Sequence, residues 1–499
     1  MRGMASSSTC LSLLALAIMS TAASAQDTAS PNDPIKKPDC DSSLDVSYRY
    51  SGTSQRLYVE SGDGSTRGGC ATLSGIWASR NGQGPLYAVE ASSGDVSVTE
   101  TGTWLLEEEL YIEDGITLQV HGTSVGGDAD ELRLLSTSDT FINLRAHGGS
   151  LDFLSTKVFS WDTKSNRPDE DETDGRSYIS AISEKLVNGA CAKSEMGEAR
   201  MDIEDSEMGY LGYHDSESYG LTWKVRGYCT DEDNPVDVFA DVDVYGNIYN
   251  SDIHHNNFGV YTYGHEQGDW RNNKVHDNSG YGFDPHDDSD FLTIHDNEVY
   301  NNGLHGIIAS KRCNGVSIQG NEVYGGGETS AGIFLHRSSD DAIVKNNDCH
   351  DNGDAGMALL ESFRAEVSGN TFKDNKYGIR LSVGCGDNVF SDNIISGGSQ
   401  YNIYTYEGSD DPEATDSGRS QDNVFSENEI DGGGETIKLQ QADGTQFIDN
   451  VFTDASTIRF DDCTETLMKG NIGLDNPNLK VESDACFDSA SDSDFIPTC

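Results

Sequence analysis

Six times between residues 259 and 382 a glycine opens a short run in which apolar and polar side chains alternate. After Gly259, Gly282, Gly306, Gly332, Gly356 and Gly378, the first and third places hold Val260 and Thr262, Phe283 and Pro285, Ile307 and Ala309, Ile333 and Leu335, Met357 and Leu359, and Ile379 and Leu381. The second and fourth hold Tyr261 and Tyr263, Asp284 and His286, Ile308 and Ser310, Phe334 and His336, Ala358 and Leu360, and Arg380 and Ser382. Period-two alternation marks a strand with one buried face, so the first set is expected inside and the second outside. The glycines recur at spacings of 23, 24, 26, 24 and 22 residues. In phase with them Asn273, Asn297, Asn321, Asn347, Asn370 and Asn393 recur at 24, 24, 26, 23 and 23. Short β segments repeating at this length, with Asn and Gly at fixed turns, predict an all-β parallel β-helix with one coil per repeat.

Coils of such a solenoid stack at about 4.8 Å, so the outward places form one stripe along a flat sheet. On it Asp284 and His286 stand side by side, separated by Pro285, which has no N–H for the ladder and breaks the pattern. Tyr281 and His305 each precede a repeat glycine, placing them at one strand mouth on adjacent coils. His336 lies on the stripe two coils beyond His286. Lys311, Arg312 and Arg337 follow the fourth place, and with Arg364 and Arg380 they are expected to make a basic lane. The asparagines are expected to hold a corner by side-chain to backbone hydrogen bonds. His254, His276 and His350 share a second corner column with Tyr300 and Tyr324, where stacked rings need no chemistry.

The alternation extends upstream in Glu109–Gly122, Glu131–Ser136 and Phe141–Ser155 and downstream to about Gly470. We therefore divide the chain into residues 26–99 as linker and N-terminal cap, 100–473 as the β-helix, and 474–499 as a C-terminal cap or tail. The acidic stretch Glu407–Ser420 interrupts the Asn spacing and is expected to be a surface loop. Met1–Ala25 carries Arg2, the apolar run Leu11–Met19 and Ala23-Ser24-Ala25, the pattern of a secretory signal peptide; the run is too short to span a bilayer. A secreted, extracellular or cell-wall location is expected, with no membrane attachment and a monomeric state.

Removing that segment leaves 32 basic residues against 85 acidic ones and ten cysteines. An even cysteine count in an exported chain predicts disulfides, with Cys40–Cys70, Cys191–Cys229 and Cys463–Cys486 the nearest pairs. Cys313 and Cys385 lie three coils, about 14 Å, apart and are not expected to pair. So acidic a chain excludes nucleic acid as the partner class. A low apolar fraction of 35% suits a narrow solenoid interior.

No nucleophile elbow, Ser-His-Asp order or metal-ligand spacing is visible, and no metal or other cofactor is expected. Asp284 with Asp287 or Asp288 could flank a glycosidic bond, but this leaves His286, Tyr281 and the cations idle. Proton abstraction α to a carboxylate uses them all: a cation on the carboxylate, and a base and an acid near the carbon.

At these residues the chain resembles the mannuronan C5-epimerases, closer to the periplasmic alginate-epimerase type than to the calcium-dependent modular type. The resemblance lies in Tyr210–Trp223, Phe258–Gly264, Tyr281–Ser289, His305–Cys313, Gly332–Ser339 and Gly378–Gly384, and its specific part is the D-P-H core of YGFDPHDDS. It implies a right-handed parallel β-helix whose groove binds alginate and inverts C5 of β-D-mannuronate to give α-L-guluronate. It places His286, Tyr281 and Asp284 in the catalytic group. The carboxylate-neutralising cation falls to Lys311, Arg312 or Arg337, and Tyr261, Tyr263, His305, His336 and Arg380 line the groove. Which of His286 and Tyr281 is base and which acid stays open, as do an alginate lyase and a non-catalytic wall-polysaccharide binder. A histidine found shortly before D-P-H in the periplasmic type has no counterpart among Asn278, Ser279 and Gly280. No calcium-binding repeats are present, so calcium dependence does not carry over.

Overall fold

Each repeat closes one coil of three short strands, as in Lys274–His276, Phe283–His286 and Thr293–His295, followed by Glu298–Tyr300, Ile307–Ser310 and Ser317–Gln319. Equivalent strands pair in parallel from coil to coil: Val275 with Val299, Phe283 with Ile307, Ile294 with Ile318. The computed structural model describes residues 32, 34–62, 68–89, 102–184, 198–226, 242–415, 417–475 and 478–483. Met1–Ala25, Cys191, Cys229 and Cys486 lie outside the described residues. Among those described, no helix is long and apolar enough to cross a membrane.

The first and third places fill the interior: Val260, Thr262, Phe283, Ile307, Ile333, Met357 and Ile379 are fully buried. The asparagine column is a continuous ladder inside one corner. Asn273 Nδ2 donates to Asn297 Oδ1 at 3.0 Å and to the Ile248 carbonyl at 2.9 Å, and the same link repeats through Asn321, Asn347, Asn370, Asn393, Asn428 and Asn450 to Asn471. The amides of this ladder are thereby satisfied by the coils on either side. A second ladder through Asn278 and Asn302, resumed at Asn352 and Asn375, holds the opposite corner. Asn278 thus belongs to the fold. The ring column also stacks as expected, with His254, His276, Tyr300, Tyr324 and His350 at centroid separations of 5.4, 4.6, 5.2 and 5.0 Å.

At the N-terminal end Val46–Ser51 and Arg56–Ser61 form an antiparallel hairpin whose second strand pairs in parallel with Glu109–Glu113. The helix Leu73–Ser79, capped by the Thr72 side chain, buries Leu73 and Ile76 over the first coil. This covers an edge that would otherwise offer unpaired backbone. Stacking starts well before residue 100, and Lys480–Ser483 continues it on Thr457–Asp461 past the expected boundary at 473. Those boundaries were drawn where the alternation of apolar and polar residues fades.

Cys40 and Cys70 form the expected disulfide. Cys313, Cys349, Cys385 and Cys463 are instead buried thiols, so the expected Cys463–Cys486 pair is not formed and the even count overstates the pairing: these positions are inward places where a small apolar side chain fits.

Candidate active site

The site strand is shaped by its glycine and its proline. A Cβ on Gly282 would lie 2.5 Å from the Gly306 carbonyl oxygen, so only glycine lets the coils close up at this corner. All four residues of Phe283–His286 pair with Val260–Tyr263 on one side, whereas on the other only Phe283 and His286 pair, with Ile307 and Ser310. Backbone N–H groups in this stack donate towards the following coil, as Phe283 does to the Gly306 carbonyl at 2.9 Å. Pro285 has none to give, and the ladder opens beside Asp284.

Asp284 takes the outward direction read from the sequence, yet it is only 1% exposed. Its Oδ1 has no hydrogen-bond partner among the described residues. Burial pushes its carboxyl up to about 7; His286 offsets this slightly. Tyr219, Tyr261 and Tyr281 crowd around it: burial, and after it the Asp284 charge, raises each phenol above its ordinary value. These phenols therefore remain protonated at neutral pH.

His286 is half-buried, and its Nδ1 lies 2.5 Å from Asp287 Oδ2, off the axis of the ring N–H. The anion favours the proton on Nδ1 and leaves the Nε2 lone pair available. Asp287 is thus the carboxylate in contact with His286. Burial raises the Asp287 carboxyl, but His286, Arg312 and Lys311 outweigh it and hold it below the usual range. Arg312 completes the cluster, with Nη2 at 2.7 Å from Asp287 and 2.8 Å from Asp288.

Rings surround this pair. Tyr219 stacks on Phe258 at 4.5 Å, Phe258 meets Tyr281 at 4.9 Å, Tyr281 stacks on His305 at 5.6 Å, and Tyr261 lies 5.8 Å from His286. His305 Nδ1 accepts a hydrogen bond from the Ala331 N–H at 2.9 Å, which puts its proton on Nε2. Burial pushes that imidazole down to about 3, and His336, whose Nδ1 faces Ser310 Oγ at 3.0 Å, down to about 4. Both are neutral at physiological pH.

The basic lane is largely neutralised in place, which corrects the expectation. Arg337 binds Glu361 at 2.8 Å, Asp410 at 3.3 Å and Glu413 at 3.5 Å. Arg364 is paired with Asp340 and Asp341, and Arg380 with Asp354 at 3.0 Å. The acidic loop expected at Glu407–Ser420 thus folds back over the stripe onto Arg337. Lys311 differs: it is exposed and makes no ion pair among the described residues. It follows Ser310, which pairs with His286. Lys311, Arg312, Arg337 and Ser338 all adopt positive φ, between 54° and 63°, at one corner of adjacent coils. The same left-handed turn recurs at other corners, as at Asn272, Asp296 and Asn346, so it belongs to the coil and does not single out this site.

Sequence reasoning missed Tyr219, Phe258 and Lys224. Thr222 and Lys224 stand in register with Tyr261 and Tyr263, two coils before Asp284 and His286, but a bulge between Gly220 and Thr222 breaks the phase there. Lys224 is drawn to Glu217 at 3.3 Å and lies 4.9 Å from the Tyr263 ring centroid. Among the described residues no three His, Cys, Asp or Glu side chains converge as metal ligands.

The family model for the right-handed β-helix region matches residues 228–340 and 308–417. The mannuronan C5-epimerase of Pseudomonas putida is 25% identical over 316 residues, 61% of this chain and 56% of that protein. The mannuronan C5-epimerase AlgG of Azotobacter vinelandii is 27% identical over 223 residues, 43% of this chain and 37% of that protein. The matched stretch thus spans little more than half the length of the first of these relatives and less of the second. The crystal structure of the periplasmic alginate epimerase AlgG superposes with a TM-score of 0.61 at 20% identity, covering 86% of this chain and 85% of that one.

Proposed function

We propose that this chain, a relative of the mannuronan C5-epimerases, is itself a polysaccharide C5-epimerase that converts β-D-mannuronate to α-L-guluronate within alginate. The observation that carries the reading is the pairing of a base-competent His286, oriented by Asp287, with protonated phenols over a near-neutral buried Asp284. In this reading Lys311 meets the uronate carboxylate, and Asp284, neutral below about 7, donates a hydrogen bond to it. His286 Nε2 takes the C5 proton, and the electron pair moves onto the carboxylate as an enediolate. Tyr281 delivers a proton to the other face of C5, and solvent returns one to Tyr281 and removes one from His286. The Tyr281 phenol, raised by burial, holds its proton at neutral pH, which supports Tyr281 as the acid and His286 as the base. The pattern of Met1–Ala25 supports export of the mature chain.

The test is proton NMR of polymannuronate incubated with the purified protein. Guluronate signals without unsaturated ends are expected, and His286→Ala should abolish them. Unsaturated ends would instead mean a lyase. No chemical change with retained polymer binding would mean a non-catalytic binder.

A further inference from the structure

Tyr377, Tyr401, Tyr404 and Tyr406 form a second aromatic surface on the face that carries His286. Tyr377 and Tyr404 stack at 5.4 Å, Tyr401 and Tyr404 lie 4.9 Å apart, and Tyr404 and Tyr406 stack at 4.9 Å. Tyr404 continues the column of Asp284: Ile308, Phe334, Ala358, Arg380 and Tyr404 are successive partners. Five coil steps put it about 24 Å from Asp284. Between them the column is mostly apolar and largely buried: Ile308, Phe334, Ala358 and Tyr377 form one cluster against which Tyr281 packs at one end and Tyr401 and Tyr404 at the other, with the Asp354-paired Arg380 the one charged member.

Two lysines border this surface. Lys376 Nζ lies 5.1 Å from the Tyr377 ring centroid, and Lys438 Nζ lies 5.6 and 5.4 Å from those of Tyr401 and Tyr404. Neither makes an ion pair among the described residues, unlike Arg312, Arg337, Arg364 and Arg380, each matched by a carboxylate of the chain. Of the nearby acids, Asp354 is taken up by Arg380 at 3.0 Å and Glu435 lies 3.6 Å from Arg459. The corner column of His276, Tyr300, Tyr324 and His350 is a useful contrast. There the polar atoms are tied to the chain's own carboxylates, His276 to Asp252 and Asp277, Tyr324 to Glu298, His350 to Asp351. That stack is complete without a ligand. On the second surface the Tyr401 and Tyr404 hydroxyls and both ammonium groups have no such partner among the described residues, although their rings are only partly exposed.

We propose that Tyr401, Tyr404, Lys376 and Lys438 form a distal subsite that holds an acidic polysaccharide while another part of the same chain lies at Asp284 and His286. A pyranose presents an apolar C–H face to a tyrosine ring and a carboxylate at its edge to an ammonium group, the two chemistries this surface offers together. The identity of the polymer rests on the epimerase reading; the subsite itself rests on the surface.

The test is equilibrium binding of long polymannuronate to the full-length protein and to Tyr404→Ala, Lys438→Gln and the double variant Lys376→Gln/Lys438→Gln, with NMR of the products run in parallel. Binding about tenfold weaker is expected for Tyr404→Ala, with a smaller loss for each lysine change. Tyr404→Phe keeps the ring and should bind within a fewfold of the native chain, which separates lost stacking from misfolding. Variants that bind and convert the polymer as the native chain does would overturn the subsite and leave the epimerase reading standing. Loss of binding in a protein that never produces guluronate would sink the epimerase reading and keep the subsite. A native chain with no affinity for the polymer would overturn both.

Discussion

Asp284 is where a single residue departs most from its ordinary chemistry. Its carboxyl is raised to about 7 by burial, so between about pH 4 and 7 the folded chain keeps a proton that the unfolded chain has released. The stability it contributes is therefore intact below pH 4 and is lost as pH rises through 7, by at most about 4 kcal/mol. Thermal melts from pH 4 to 8 should show this fall, and Asp284→Asn should flatten it. In activity, a hydrogen-bonding Asp284 predicts an alkaline limb near pH 7 that Asp284→Asn lacks; an unchanged limb would remove Asp284 from that role. Lys311 supplies the second test at this scale. As the exposed cation beside the His286 coil without an ion pair among the described residues, Lys311→Met should lower kcat by about 10²- to 10³-fold. Arg337→Met should act mainly through its release of Glu361 and the acidic loop. If the two effects were reversed, the carboxylate would belong to Arg337.

At the scale of the strand and its corners, legibility followed physical necessity. A coil can turn only where an amide satisfies buried backbone and where a glycine permits close stacking, so Asn273 and Gly282 recur visibly and the period could be counted. The Asp284-Pro285-His286 step stood out because proline contradicts a ladder. Hidden from a linear reading was everything set by contacts between coils: the rings of Tyr219 and Phe258 that enclose Asp284, and the acidic loop that reaches back to Arg337. Periodicity gives the direction of a side chain, not what lies over it. The ladder itself can be tested. Asn321 is 1% exposed, and its amide links Asn297, Asn347 and the Ile294 carbonyl. Asn321→Ala would strand those partners and should destabilise the fold by about 3 kcal/mol, measured by denaturant unfolding. A loss below about 1 kcal/mol would mean that the coils can relax around the gap.

For the whole molecule the governing fact is its charge, -52 for the full sequence. A polyanionic substrate approaching such a body is repelled at long range and attracted only close to cations with no ion pair among the described residues, such as Lys311, Lys376 and Lys438. These two forces have different reach, and salt separates them. At about 0.01 M ionic strength the Debye length is roughly 30 Å and the field of the entire chain acts on the polymer; at about 0.15 M it is roughly 8 Å and mainly local contacts remain. Adding salt should therefore first lower KM for polymannuronate, as the body's repulsion is screened, and raise it again towards 1 M as the lysine contacts weaken. A binding face dominated by cations would give a steady rise from the lowest salt. Measuring KM across this range distinguishes the two, and a monotonic rise would show that the local cations outweigh the acidity of the rest of the coil stack at every distance that matters for binding.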